Sequence, residues 1–435
     1  MQDLTAARLQ MALSLAFHII FAVVGMAMPL LMVIAECKWL RTGREVYHEL
    51  CKRWAHGTAI MFAVGAVSGT VLSFELGLLW PEFMAFAGPM ISLPFTLEGF
   101  AFFLEAIFLG IYLYGWDRVS AKMHLFSGIM VCLCGTMSGV FVVTANAWMN
   151  APQGFDLVDG VATNIDPVAA MLNPASFTQV LHMTIAAYQA LAFAVAAIHA
   201  YAYLRNKKSE FHREALAIAL PIAVVTALLQ PIAGDLSAKM VARYQPVKLA
   251  AMEAHWETQR AAPLRLGGWP DEEREETRYS IELPYLLSIL AFADPNAEVV
   301  GLKDVPREDR PPIALVHISF QIMVGLGMLM VAVALFGSWL WFRGKRKMPE
   351  GKFFLKSLIV AGPMGMIALE AGWIVTEVGR QPWVIHGIMR TSDAVTGMPN
   401  LWAILPFFIG IYILLLIVVT TLMKRQVFAS IEEEG

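Results

Sequence analysis

Ser357-Leu-Ile-Val-Ala-Gly-Pro-Met-Gly-Met-Ile-Ala-Leu-Glu370-Ala-Gly-Trp373-Ile-Val-Thr-Glu-Val378 is apolar over a length that crosses a bilayer as a helix, yet it carries Glu370 inside it. It runs directly into Gly379-Arg380-Gln381-Pro382-Trp383. A charge in a membrane span costs several kcal/mol or more, so such a carboxylate reads as functional. The same holds elsewhere, because His18, Glu98, Glu105 and His182 also sit in apolar runs. These residue types ligate metal or carry protons, and the runs alone leave both readings open.

Composition agrees with the span. Of 435 residues, 58% are hydrophobic and only 15% charged, with a mean hydropathy of +0.60. A soluble domain cannot cover that much apolar surface, so the expected class is an all-α polytopic membrane protein. A net charge of −3 suggests no nucleic-acid partner. The cysteines Cys37, Cys51, Cys132 and Cys134 form no CxxCH haem-attachment site and read as packing residues.

Nine runs are long enough to span: 11–35, 54–74, 92–115, 124–146, 178–204, 215–233, 313–342, 355–378 and 402–423. The first is longer than a signal-peptide core and reads as a retained span. Loop charges alternate. Lys38, Arg41, Arg44, Lys52 and Arg53 follow span 1, and 75–91 has no Lys or Arg. Arg118 and Lys122 come next, then none over 147–177, then Arg205, Lys207, Lys208 and Arg213. Arg343, Lys345, Arg346, Lys347, Lys352 and Lys356 follow span 7, and Lys424 and Arg425 follow span 9. By the positive-inside rule the N-terminus is outside and the C-terminus inside. The hydrophilic segment 234–312 is then an outer loop too long for that rule to govern. Leu249–Trp256 reads as a short helix within it, and Asp271–Glu276 as a solvated acidic face.

Topology converts position into depth at 1.5 Å per residue. From the outer surface, His18 lies about 10 Å in, His182 about 6 Å, Glu98 about 9 Å, Glu370 about 12 Å and Met323 about 15 Å, with Glu105 near the midplane. Taken singly, each histidine could merely bond a neighbouring helix, and Met323 could fill core. Their shared level on different helices points to an axial-ligand set for membrane haems. His48, His56, His124, His199 and His212, near inner span ends, read as interfacial.

The chain resembles subunit I of the cytochrome bd-type quinol oxidases over essentially its full length. The resemblance rests on Ala7-Arg-Leu-Gln-Met-Ala-Leu-Ser-Leu-Ala-Phe-His18, Glu98-Gly-Phe-Ala-Phe-Phe-Leu-Glu105, Gly115-Trp-Asp-Arg118 and Ala145-Asn-Ala-Trp-Met149. It rests also on Lys248-Leu-Ala-Ala-Met-Glu253, Trp256-Glu-Thr-Gln259, Gly301-Leu-Lys303, and Glu370-Ala-Gly-Trp373 with Gly379-Arg-Gln-Pro-Trp383. The resemblance implies that His182 and Met323 ligate a low-spin haem b. It implies that His18 and Glu370 ligate the two high-spin haems, a haem b and either a haem d or a further haem b. Glu98 would lie beside the oxygen-reactive haem and Glu105 on the proton path. Lys248 and Glu253 would act in quinol oxidation, within a periplasmic quinol-binding loop over 234–312 of a single integral-membrane domain (1–435). Arg8, Trp373 and Arg380 would be cofactor-binding, with Arg8 at a haem propionate.

The resemblance further implies a quinol:oxygen oxidoreductase in the bacterial cytoplasmic membrane. It would oxidise ubiquinol or menaquinol outside and reduce O2 with protons from inside, separating charge without pumping. A second membrane subunit, a small accessory subunit and membrane lipid are the expected partners. The loop is that of a short-loop member. Gln321 and Met366 depart from the pattern, since some relatives have Arg and Trp there. Two rivals remain at this point: a non-oxidase membrane cytochrome b, and a haem-free proton-coupled transporter.

Overall fold

The computed structural model describes residues 2–206 and 209–428. Lys207 and Lys208 of the inner charge pattern lie outside them. Among the described residues nine helices are long and apolar enough to cross a membrane. They are built from α1 (Gln2–Thr42), α2 (Glu45–Leu79), α3 (Pro81–Tyr114), α4 (Ala121–Asn150), α6 (Ser176–Arg205), α7 (Glu210–Tyr244), α10 (Ile313–Arg343), α11 with α12 (Lys352–Ala361 and Met364–Val378), and α14 (Leu401–Met423). Short helices α5 (Pro167–Met171), α8 (Pro246–Met252), α9 (Leu286–Phe292) and α13 (Thr391–Ala394) lie in the connections.

The helices outrun the apolar cores seen in sequence. Hydropathy marks only the stretch that lipid requires, whereas the backbone bonds continue wherever side chains can be wetted or paired. Thus α7 reaches Tyr244, and Asp235 and Lys239 pair across one helical turn at 2.5 Å. The connecting segment therefore begins at Gln245, not at 234. Its first helix is also displaced: Pro246 at the first helical turn starts α8 early, and Ala254, at φ +46°, follows its end. Span 8 is two helices, because Pro363 has no N–H to continue the ladder.

The connections at 80, 151–175, 245–312 and 379–400 gather with the N-terminus at one end of the bundle. Ala6, Trp80, Phe83, Trp148, Ala170, Ile385 and Leu401 share one buried cluster there. The Leu401 N–H donates to Asp3 (3.0 Å), and Tyr412 donates to Ser14 (2.7 Å), which hold α14 against α1. A larger core nearer the other end joins α1, α2, α6, α7, α10, α11 and α12. His124, His199 and His212 belong to the buried interior. The interfacial expectation is corrected for these three, because they sit at helix–helix contacts rather than at the rim. Cys51 and Cys134 are buried and all four cysteines are free.

Candidate functional site

The site has two tiers. The upper tier joins the connecting segment to α12. Lys248 of α8 is buried, and its Nζ donates to Asn150 Oδ1 (2.7 Å) and to the Thr376 carbonyl (3.2 Å). Gln245 donates to the same Asn150 oxygen at 3.1 Å. Gly379 explains itself here: a Cβ would meet Lys248 Cγ at 3.1 Å and collide with the Val375 carbonyl. Burial, with Arg380 nearby, holds the Lys248 amine well below the ordinary lysine range, against a smaller opposing pull from Glu377.

Arg380 is 3% exposed, and its Nη2 donates to Glu377 at 2.7 Å. Its Nε and Nη1 are buried with no hydrogen-bond partner among the described residues. Asn146 of α4 donates to the other Glu377 oxygen. His386 is nearby, its pKa lowered to about 4 by burial and then by the charges of Lys248 and Arg380. The buried guanidinium N–H groups that Arg380 leaves unspent suit an anionic oxygen.

Glu253 lies elsewhere in this tier. It caps α8, is 3% exposed, and one carboxylate oxygen has no hydrogen-bond partner among the described residues. Burial pushes its carboxyl up to about 8, against a smaller opposing pull from Arg265. No hydrogen bond or ion pair joins Lys248 to Glu253 among the described residues. They face opposite sides of α8, Lys248 toward α12 and Glu253 toward Arg265.

The segment around them is pinned to the bundle. Gln321 accepts from the Gly267 N–H (3.1 Å) and donates to the Arg265 carbonyl (3.1 Å). His317 bonds the carbonyls of Met252 (2.8 Å) and Gly267 (3.2 Å). Gly301 packs against the backbone of Trp256–Thr258, where no Cβ fits, and the Lys303 N–H reaches the Trp256 carbonyl at 2.9 Å. The run 256–259 and Gly301–Lys303 are thus two halves of one contact. The acidic run stays at the surface, with Asp271 paired to Arg278 and Glu275 to Arg310.

The lower tier lies within the spans. His18 Nδ1 is 3.0 Å from Ser68 Oγ, whose only proton goes to the Gly65 carbonyl (3.1 Å). With that hydroxyl donating to Gly65, Ser68 accepts from Nδ1–H, and this tautomer leaves the Nε2 lone pair for a metal. Gly69 lies against that ring, where a Cβ would stand 2.9 Å from His18 Cε1. Gly234 lies beside His182, and Gly372 beside Met323, with a Cβ at 3.0 Å from its sulfur. The Gln230 amide is shared among both ring nitrogens and the carbonyl of His182, each at 3.3 Å. Glu370 has a buried oxygen with no hydrogen-bond partner among the described residues. Glu98 accepts from Ser138 at 3.4 Å. Trp373 and Met366 pack with Leu369, Ile19 and Met183 between α1, α6 and α12. Glu105 is deeper and buried, between Gly135 and Gly25. Arg8 is exposed on α1.

Residues 6–430 match the family described as cytochrome bd terminal oxidase subunit I.

The chain belongs to that family.

A Bacillus subtilis (strain 168) protein, provisionally described as a cytochrome bd menaquinol oxidase subunit I, is 38% identical over 95% of this chain and 94% of its own. A second protein of that strain, a cytochrome bd ubiquinol oxidase subunit 1, is 32% identical over 93% of this chain and 88% of its own. The solved bd oxidase of Geobacillus thermodenitrificans superposes with a TM-score of 0.90 at 41% identity, covering 97% of this chain and 98% of that one. Membership makes this a multi-pass bacterial membrane protein with haem cofactors.

Sequence reasoning passed over several residues of the bd-type site. Glu377 follows Glu370 by seven residues, two turns along the same face of α12. Its run was apolar and its pairing with Arg380 and Asn146 is tertiary, so only the i, i+3 spacing to Arg380 hinted at it. Asn150, Gln245 and His386 gave no signal, since an amide or histidine at a helix end is ordinary. Glu75, 1% exposed and bonded to Gln10 at 3.0 Å, was passed over as the first residue of the loop 75–91.

Proposed function

We propose that this chain is the haem-carrying subunit of a terminal oxidase that takes electrons from quinol and gives them to O2. The observation that carries the reading is the buried bridge from Lys248 to Asn150 and Thr376, which couples the connecting segment to the helix of Glu370, Glu377 and Arg380.

The residues fit haem. His18 offers a free Nε2, glycines flank His18, His182 and Met323, and Glu370 and Arg380 have buried atoms unspent. His182 and Met323 would hold a low-spin haem b; His18 and an acid of α12 would hold two high-spin haems, one a haem b and the other haem d or haem b. Glu370 is the first candidate acid because its oxygen is unpartnered. Glu377 is the second because it shares that face and sits beside Arg380. When bound, haem supplies one-electron transfer and an iron face open to O2. The free N–H groups of Arg380 suit a propionate better than exposed Arg8 does.

The chain's own residues manage protons. Quinol, as ubiquinol or menaquinol, would enter at the 245–312 segment. Glu253 would accept its proton, and Lys248, on the other face of α8, would hold that segment against α12 through Asn150 and Thr376. Glu98 would hold a proton beside the oxygen site, and Glu105 would supply it from the opposite side. With the N-terminus outside, as the loop charges imply, protons and electrons meet from opposite faces and charge is separated without a pump. A second membrane subunit, a small accessory subunit and lipid would cover the apolar flank, on which Phe100, Phe103 and Ile107 of α3 are exposed.

The test is spectroscopic. H18A, E370A, E377A and H182A variants of the assembled oxidase are compared by reduced-minus-oxidised spectra and O2 uptake. H18A and one of the two acid variants should lose O2 uptake and a high-spin signal while keeping the low-spin band. H182A should lose that band. Normal O2 reduction in H18A and in both acid variants would sink the oxidase reading, and a haem-free spectrum in the folded parent would sink the haem reading.

A further inference from the structure

At the bundle end remote from the 245–312 segment, α1, α3 and α4 enclose an acid and an imidazole that nothing above uses. Glu36 is 0% exposed and His124 3%. His124 Nδ1 is 2.8 Å from Glu36 Oε1, and its Nε2 is 2.9 Å from the Tyr112 carbonyl. A carbonyl only accepts, so Nε2 carries a hydrogen. The short Nδ1–Oε1 bond must then contain another proton, whether written as imidazolium–carboxylate or as imidazole–carboxylic acid. The pair therefore stores one proton beyond a neutral imidazole and a bare carboxylate.

Its surroundings suit exchange rather than packing. Among the described residues Glu36 Oε2 has no well-formed hydrogen bond, and the Tyr112 hydroxyl interacts with Glu36 and Cys51. A buried carboxylate with only one oxygen firmly bonded keeps the other available to a proton or to Tyr112. Trp116, from the Gly115–Arg118 turn, covers the His124 ring at 3.9 Å. Beyond Trp116 stand His48 (4.9 Å) and the exposed Lys52 (5.5 Å), the groups nearest the medium. Cys37 and Cys51 are the other ionisable neighbours.

The same seam leads to Glu105. Tyr112 and Glu105 are seven residues apart on one face of α3, about 10 Å along the axis. On α4, Gly128 lies against Tyr112 and Gly135 against Glu105, with added Cβ atoms at 2.7 Å and 3.1 Å. On α1, Gly25 also borders Glu105. Glycine at both positions thus lets α4 close directly against Tyr112 and Glu105, so the two groups belong to one packed three-helix seam.

We propose that Glu36 and His124 form a proton-holding station that loads from the medium at this end and feeds Glu105 along the α1–α3–α4 seam. One proton joins the pair as one leaves toward Glu105, and no electron moves. The proposal rests on the oxidase reading above and adds the source of that proton.

The test uses the complete oxidase, prereduced and mixed with O2, with a pH-indicating dye reporting proton uptake. E36Q keeps the shape of the side chain but cannot ionise; E36D keeps the acid. E36Q should slow proton uptake at least ten-fold with an unchanged haem spectrum, and should lose a deuterium-sensitive infrared carboxyl band. E36D should recover most of the rate. Uptake at the parental rate in E36Q would overturn the proposal. So would loss of the haem spectrum in both variants, which would assign the pair a structural role. A parent that takes up no protons with O2 would overturn the oxidase reading instead.

Discussion

Ser68 fixes which nitrogen of His18 carries the proton. Its single hydrogen is committed to Gly65, so the imidazole must donate, and its other nitrogen is free. Ser68→Ala should lower occupancy of the haem held by His18, in line with the 10- to 100-fold losses usual for such supporting partners, measured as haem per protein after mild dialysis. Unchanged haem content would show that packing against Gly69 suffices. Glu253 makes a second prediction at this scale. Burial raises its carboxyl to about 8, so below that pH it is mostly protonated and cannot accept a proton. The rate with quinol should therefore climb with pH toward about 8 and then level. Glu253→Gln should abolish that limb while oxidation of artificial donors stays intact. A parental pH profile in the variant would remove Glu253 from the proton transfer.

Among elements, α12 and α8 set the site because small residues let them approach. Gly379 is the point where Lys248 passes the end of α12. Gly379→Val should displace the lysine and depress quinol oxidation several-fold while the low-spin haem band persists. A KM and kcat matching the parent would mean that α8 tolerates the shift. The sequence announced α12 through its misplaced acid, and it announced α8 through a motif. It did not announce that Lys248 and Glu253 face opposite ways, because five residues of helix turn a side chain about 140°. Nor did it reveal where α7 ends, because an i, i+4 ion pair carries a helix past its apolar core.

For the whole molecule, the connecting segments form one end where Trp148, Trp80, Ile385 and Leu401 are buried together. By the positive-inside rule this end is expected outside. Protease added to intact spheroplasts should therefore cut near the exposed residues Glu272–Arg274, while cutting only in inverted vesicles would reverse the orientation.

Nine spans, their charge asymmetry and the costly intramembrane acids were determined by sequence alone. The bilayer imposes a one-dimensional rule on length and polarity that any stretch obeys or breaks by itself. Which groups share a proton or leave an atom free was decided only by the tertiary structure. Glu36 meets His124 across 88 residues, and Lys248 meets Thr376 across 128. Glu377 is drawn into the site by Asn146, 231 residues away. Hydrogen bonds act over about 3 Å, so their partners exist only after the helices have packed.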